Sequence, residues 1–234
     1  RSAIRNQIVG EAPVDYTGQV AWRINVPTER LPKGFMEHIT EIWVGPNKHG
    51  VVYFLRRGEI LNFVGCVDHA EWSEESWTQR YPHAELKADF AGWHQNIQTI
   101  LDAADPNECY RWALNNRVPV RNWRTSRAVI MGDAAHPTLP YMAQGAVMAI
   151  EDGAVLTRAL QACDDVTDAL ELFQQSRVDR TARIVTESNA NKKLFHLKSE
   201  KLLREAFAAR DMNAERSKWL FSYDALKVEL GAPA

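Results

Sequence analysis

The chain has 234 residues, 45% hydrophobic and 25% charged, with 28 Lys+Arg against 30 Asp+Glu for a formal net charge of −2. That is the composition of a globular protein long enough to bury a core as one large domain or two small ones. It excludes disorder and carries no overall basic field for nucleic acid. No apolar run approaches a membrane span, and Cys66, Cys109 and Cys163 are odd in number and too far apart for a disulfide framework or a CxxC site, which fits a reduced, cytoplasmic compartment.

The opening Arg1-Ser2-Ala3-Ile4-Arg5 reads as the interior of a longer polypeptide. Val20, Trp22, Ile24 and Val26 alternate with Ala21, Arg23 and Asn25, which predicts a strand over 14–27 ending at Pro27. Thr28 to Gly34 reads as a loop. Three strand-like runs follow, Ile39–Val44, Val51–Arg56 and Glu59–Val67, separated by Gly45-Pro46 and Gly58, and spacers this short predict an antiparallel meander. Trp72 to Pro82, polar with interspersed aromatics, reads as irregular or briefly helical.

Leu86, Phe90, Trp93, Ile97, Ile100 and Leu101 recur at helical spacing within 84–104. Tyr110–Leu114 is predicted as a strand, and Ala128–Met131 as a short, fully apolar strand running into Gly132. Small and apolar residues over 143–162 predict a buried helix. A long charged helical region from Val166 to about Arg210 carries one apolar stripe and is expected to break near Asn189–Asn191. The tail Trp219–Asp224 is aromatic enough to dock on the body of the protein.

The segment from Arg127 to Arg158 carries the chemistry: a buried strand, a Gly-Asp turn, a loop bracketed by Pro137 and Pro140, then Gln144-Gly145-Ala146 opening a helix. Asp133 stands where a strand ends, a place from which a carboxylate accepts hydrogen bonds from a ligand's hydroxyls. Gly145 and Ala146 let a flat ligand approach the first helix amides, whose partial positive charge favours an anionic group. An ordinary tight β–α connection uses Gly and Asp in the same way, so on spacing alone both readings stand. His49 is similarly open between an exposed turn residue in Asn47-Lys48-His49-Gly50 and a functional imidazole four residues before Tyr53 on one strand face. The histidines form no H-x-x-x-H cluster and no G-x-S-x-G elbow exists, so neither a metal site nor serine hydrolase chemistry has support.

Gly132-Asp133-Ala134-Ala135-His136-Pro137, followed by Gln144-Gly145-Ala146 and Glu151-Asp152, closely resembles the second flavin motif of FAD-dependent aromatic hydroxylases of the p-hydroxybenzoate hydroxylase fold. Pro140-Tyr141-Met142-Ala143-Gln144 is most similar to the salicylate, 3-hydroxybenzoate 6- and 6-hydroxynicotinate hydroxylase branch. The resemblance extends to Gly18–Arg23, to Ile42–Pro46 with His49 and Tyr53, and to Glu59–Val64. Ser2 and Arg5 match the end of the family's D-G-x-x-S-x-x-R motif. No G-x-G-x-x-G is present, so the N-terminal half that grips the ADP part of FAD is expected to belong to the same polypeptide outside this chain.

The resemblance implies a mixed α/β (α+β) fold with a mostly antiparallel substrate-binding sheet, an FAD-contacting strand–loop–helix and C-terminal helices. It divides the chain into 1–13 (end of the D-G motif segment), 14–114 (substrate sheet), 115–180 (flavin-contacting segment and helix) and 181–234 (helical tail). It implies an FAD-dependent monooxygenase that uses NADH or NADPH and O2, through a flavin C4a-hydroperoxide, on a small phenolic acid. Asp133, Pro140, Gln144, Gly145 and Ala146 would contact FAD. His49 and Tyr53 would be catalytic and, with Tyr141, would touch substrate, His49 taking the phenol's proton. Leu139, Pro140 and Met142 would keep water out, and His136 would be a hydrogen-bonding scaffold rather than Asp133's partner. The small aromatic substrate and O2 are the expected partners, with no nucleic acid and no membrane, and a homodimer is compatible. The competing readings are a hydroxylase of a larger aromatic natural product and a non-catalytic binding or dimer-forming module.

Overall fold

The structure, a computed structural model, describes residues 2–11, 15–70, 76, 78–209 and 215–232. Within the predictions above, Arg1, 12–14, 71–75, 77, 210–214 and 233–234 lie outside the described residues. The chain divides into two compact units: one of 16–114 with 194–207, the other of 1–15, 115–193 and 208–234.

The first helix, α1 (Ala3–Val9), belongs to the second of these and starts where Ser2 Oγ accepts the amide of Arg5 at 3.1 Å. The sheet unit follows. Strands β1 (Asp15–Pro27), β2 (Glu41–Gly45), β3 (Lys48–Leu55) and β4 (Ile60–Asp68) form where alternation predicted them. With β5 (Tyr110–Asn116) they make one sheet in the order β2-β3-β4-β1-β5, with β2, β3, β4 and β1 paired antiparallel.

Alternation decides which residues share a face, and in β4 both faces are buried. Val20, Trp22, Ile24 and Val26 of β1, Val52 of β3, and Leu61 and Phe63 of β4 form one core with Leu86, Phe90, Ile97, Ile100 and Leu101. Leu86 lies on α2 (His83–Asp89), Phe90 directly after it, and the last three on α3 (Gln95–Ala103); the two helices replace the single helix expected over 84–104. The chain breaks there because Gly92 takes a left-handed φ of 75° and the His94 ring accepts the amide of Asn96, capping α3. The opposite sheet face carries Gln19, Ala21, Arg23 and Asn25 of β1, His49, Val51 and Tyr53 of β3, and Asn62, Val64, Cys66 and Asp68 of β4, in register across the strands.

In the other unit the apolar run Ala128–Met131 is not a strand. Among the described residues its ladder contact is one isolated bridge, Arg124↔Val129, and without a neighbouring strand an extended run has nothing to pair with. Two helices dominate: α4 (Gly145–Ala162) and α5 (Val166–Phe195). The expected break at Asn189–Asn191 is absent. Ser188 Oγ donates to the carbonyl of Leu139 at 2.7 Å and Asn191 Nδ2 to that of Tyr141 at 3.4 Å, so these polar residues hold a loop instead of ending the helix. The interruption comes after Phe195, before α6 (Glu200–Ala208).

The buried face of α5 is not one apolar stripe either. Arg177, Arg180, Thr181 and Ser188 are buried on it beside Phe173, Ile184 and Val185. The tail docks as expected. It contains α7 (Glu215–Phe221), whose Leu220 is buried, and Arg158 donates to the carbonyls of Ala225 and Val228. None of the described helices is long and apolar enough to cross a membrane.

Candidate functional site

Two groups of candidate residues emerge, one in each unit. The first surrounds the Gly132–Ala134 turn. Gly132 takes a positive φ of 57°, and its amide donates to Asp152 Oδ2 at 2.9 Å. Arg5, itself buried, donates to the carbonyls of Ala134 and Ala135, so the Ser2–Arg5 segment grips the turn. His136 Nε2 reaches the same Asp152 Oδ2 at 2.6 Å and packs beside Trp123, which makes it a scaffold residue with no bond to Asp133. Held in this way, the turn leaves Asp133 exposed, without a hydrogen bond or ion pair among the described residues.

Downstream, Pro140–Met142 forms a single tight turn; Ser188 holds the carbonyl of Leu139 just before it and Asn191 that of Tyr141 within it. Leu139 and Tyr141 are buried, Pro140 is half-buried, and Met142 packs against Met148, Ile184 and Leu220. Ala143 then adopts a left-handed φ of 53°, and α4 starts at Gly145 after Gln144. The side chain of Gln144 makes no capping bond, and its carbonyl accepts first from Met148, at 2.8 Å. The amides of Gly145, Ala146 and Val147 are therefore left with neither side-chain cap nor intrahelical acceptor. Ala146 is exposed and Gly145 half-buried, so an 18-residue helix presents open donors and its positive dipole end beside side chains of minimal bulk.

Beneath this surface lies a charge network that sequence reading missed. Asp152 Oδ1 accepts from Arg177 Nε at 2.8 Å, and Arg177 also meets Glu151 at 2.7 Å, the Met148 carbonyl and the Tyr223 hydroxyl. Arg180 grips Glu151 through two bonds, at 2.9 and 2.8 Å, and donates to the carbonyls of Trp219 and Leu220. Burial alone would raise the Asp152 carboxyl, but His136, Arg177 and the Gly132 amide outweigh it and hold the group below its ordinary value. The available signal was Glu151-Asp152 inside a helix of small and apolar residues, since adjacent buried acids demand basic partners.

The second group lies on the sheet. His49 is on β3, only 2% exposed, so it is not a turn residue, and Tyr53 lies four residues on along the same face, half-buried. His49 Nδ1 lies 3.0 Å from His196 Nε2, and His196 Nδ1 lies 2.6 Å from Asp68 Oδ1. Phe195 packs its ring against His49 at 5.0 Å. Burial, reinforced by His196 and opposed by Asp68, lowers His49 to about 3, so the ring is neutral at physiological pH and keeps a lone pair for a proton. On the same face the guanidinium of Arg23 stands 5.0 Å over the ring of Trp112, and its buried Nε has no hydrogen-bond partner. Arg111 pairs with Glu85 at 2.8 Å and stacks on Tyr81, a structural role.

Comparison with known proteins connects these geometries to a family. The family model described as "FAD binding domain" matches residues 1–188. The chain is 39% identical over 206 residues to a 3-hydroxybenzoate 6-hydroxylase of Polaromonas naphthalenivorans, covering 87% of this chain and 50% of the relative. It is 36% identical over 195 residues to a 6-hydroxynicotinate 3-monooxygenase of Bordetella bronchiseptica, covering 81% and 50%. The crystal structure of Klebsiella pneumoniae HpxO complexed with FAD and uric acid superposes with a TM-score of 0.76 at 27% identity, over 88% of this chain and 52% of that one. The chain thus spans about half the length of the curated relatives it matches.

Proposed function

The chain belongs to the FAD-binding domain family, and on that premise we propose that it is the flavin- and substrate-contacting part of an FAD-dependent monooxygenase hydroxylating a small phenolic aromatic acid with NADH or NADPH and O2. The observation that carries the reading is the uncapped start of α4 beside the exposed, unpartnered carboxylate of Asp133. Such a pair suits a ligand with hydroxyls at one end and an electron-rich ring edge at the other, which is the chemistry of a flavin with its ribityl chain.

When bound and reduced by a nicotinamide, the flavin supplies the activated oxygen. The protein's own residues do the rest. Asp133 would accept hydrogen bonds from the ribityl hydroxyls, and the Gly145 and Ala146 amides would donate to the ring's carbonyl edge. Pro140 and Gln144 shape the approach, with Pro140 and buried Leu139 excluding water. Met142, turned into its own core cluster, supports that loop from within. His49 takes the phenolic proton, because a phenol is a poor electron donor until it ionises. Tyr53 and Tyr141 are assigned to the substrate as aromatic contacts.

In the intact flavoprotein, His49→Ala should slow hydroxylation near neutral pH and recover part of the rate at higher pH, where the phenol ionises unaided. Wild-type rates with an unchanged pH profile would reject the role. Asp133→Ala should release FAD, and a variant that keeps its full flavin complement contradicts the cofactor assignment. NADH consumption against a panel of hydroxybenzoates and hydroxynicotinates, with product identification, names the substrate.

A further inference from the structure

We propose that Arg23 anchors the carboxylate of the substrate over an apolar floor of Val51 and Val64. The aromatic acid then lies with its charged end on β1 and its phenol toward His49 and Tyr53 on β3. The proposal rests on the reading of this sheet face as the substrate's, and it names what the face selects: an aromatic ring that carries an anion.

Register lays the face out in rows. In the first, Ala21, Cys66 and His49 stand side by side across β1, β4 and β3, none more than 2% exposed, so this row is sealed. The next row is Arg23, Val64 and Val51, and the one after it Asn25, Asn62 and Tyr53. There the face opens, since Arg23, Val51 and Tyr53 are half-buried and Asn25 is exposed. Arg23 and His49 are two strand spacings and one residue pair apart, about 12 Å between backbone positions, a span for an arginine side chain, one ring and an imidazole.

Arg23 is a cation without an anion. Among the described residues no acidic side chain pairs with it, and its buried Nε has no hydrogen-bond partner. Its guanidinium stands 5.0 Å over the ring of Trp112 on β5, a stack that holds the group without using a donor. Arg111 shows the alternative, because Glu85 takes it at 2.8 Å. A guanidinium partly removed from water with its donors unused is matched by a carboxylate, which accepts two of them in parallel.

Asn62 adds a second unpaired atom to the same patch. It is 8% exposed, gives its Nδ2 to Asn25 Oδ1 at 2.7 Å, and leaves its own Oδ1 buried without a partner. Buried polar atoms are nearly always paired, and two unpaired ones beside Val64 mark a place that a ligand completes. Their chemistry also orients that ligand. Arg23 only donates and takes the anion, whereas Asn62 Oδ1 only accepts, so it turns a carboxylate away and admits a hydroxyl or a ring N–H. A neutral aromatic would leave the guanidinium desolvated and unpaired, and the same residue thereby excludes it.

The test uses the intact flavoprotein and two probes: the hydroxybenzoate or hydroxynicotinate of the panel above that is hydroxylated fastest, and the primary carboxamide of that acid. Binding is read from the perturbation of the flavin absorbance. The unsubstituted protein should bind the acid roughly tenfold or more tightly than the amide. Arg23→Gln should weaken binding of the acid roughly 10- to 100-fold and leave the amide within about threefold, with the loss appearing in KM more than in kcat. Arg23→Lys keeps the charge but not the fork, and should recover part of the preference for the acid. An unsubstituted protein that binds both probes equally overturns the anchor without any variant having to fold. An Arg23→Gln variant with wild-type affinity for the acid overturns it too, while hydroxylation of that acid leaves the reading of the face standing. If no acid of the panel is hydroxylated, the reading of the face fails and the anchor with it.

Discussion

The α4–α5 unit buries four full charges together, whereas the sheet unit buries two imidazoles and leaves the one carboxylate that serves them half in water. In the first cluster every charge faces its opposite: Asp152 and Glu151 meet Arg177, and Glu151 also meets Arg180 twice. Nothing in it is available to a ligand, and its bonds run to the Gly132 amide, His136 and the tail carbonyls. The second cluster is a line from His49 through His196 to Asp68 that ends at a half-exposed carboxylate. A closed set of charges makes a scaffold, and a line of hydrogen bonds that ends in water stays coupled to solvent. Burial is common to both, and the difference lies in whether the last group is buried.

The largest expected effect breaks the closed set. Arg177→Met leaves Asp152 and part of Glu151 uncompensated in the interior and should cost about 3–5 kcal/mol in denaturant unfolding. A loss under 1 kcal/mol would mean that the network is not the scaffold described.

The next effect belongs to the open line and appears as pH dependence. The unfolded chain protonates His49 near 6.5, whereas the folded chain resists doing so until about 3. Between those values the unfolded state binds more protons, so stability falls as pH drops through the window. From pH 7 to 4.5 the loss should be roughly 2–3 kcal/mol. His49→Gln should flatten that slope, and an unchanged slope assigns it elsewhere. Asp152, held below its ordinary value, adds its own loss only at still lower pH.

The smallest effect sharpens the contrast. His196→Gln should cost only about 1 kcal/mol of stability, the worth of an ordinary hydrogen bond. A large loss of stability would place His196 with the scaffold residues.

Much of the sheet was legible because alternation in Val20–Val26 and the Gly-punctuated runs after it report an antiparallel meander directly; that β4 is buried on both faces was not. The start of α4 was legible through Gln144-Gly145-Ala146. What escaped were features that depend on partners far along the chain. Ala128–Met131 has the composition of a strand, but pairing is a property of two segments. Helical spacing within 84–104 took no account of Gly92, whose backbone ends one helix before the next begins. On α5 a stripe read from apolar residues alone passed over the buried arginines, since only the acids of α4 justify their burial. His196, 147 residues from its nearest imidazole, had no local pattern to mark it.

The cysteines behave unequally for the same reason that the sheet holds together. Cys66 and Cys109 are buried, their thiols driven to about 12 and about 11 by desolvation, while Cys163 at the end of α4 is half-open. Alkylating reagents need a thiolate they can reach, so in the native chain they should mark Cys163 first. Modification of Cys66 requires the His49 face of the sheet to be uncovered, and the pace at which it is labelled becomes a clock for that opening.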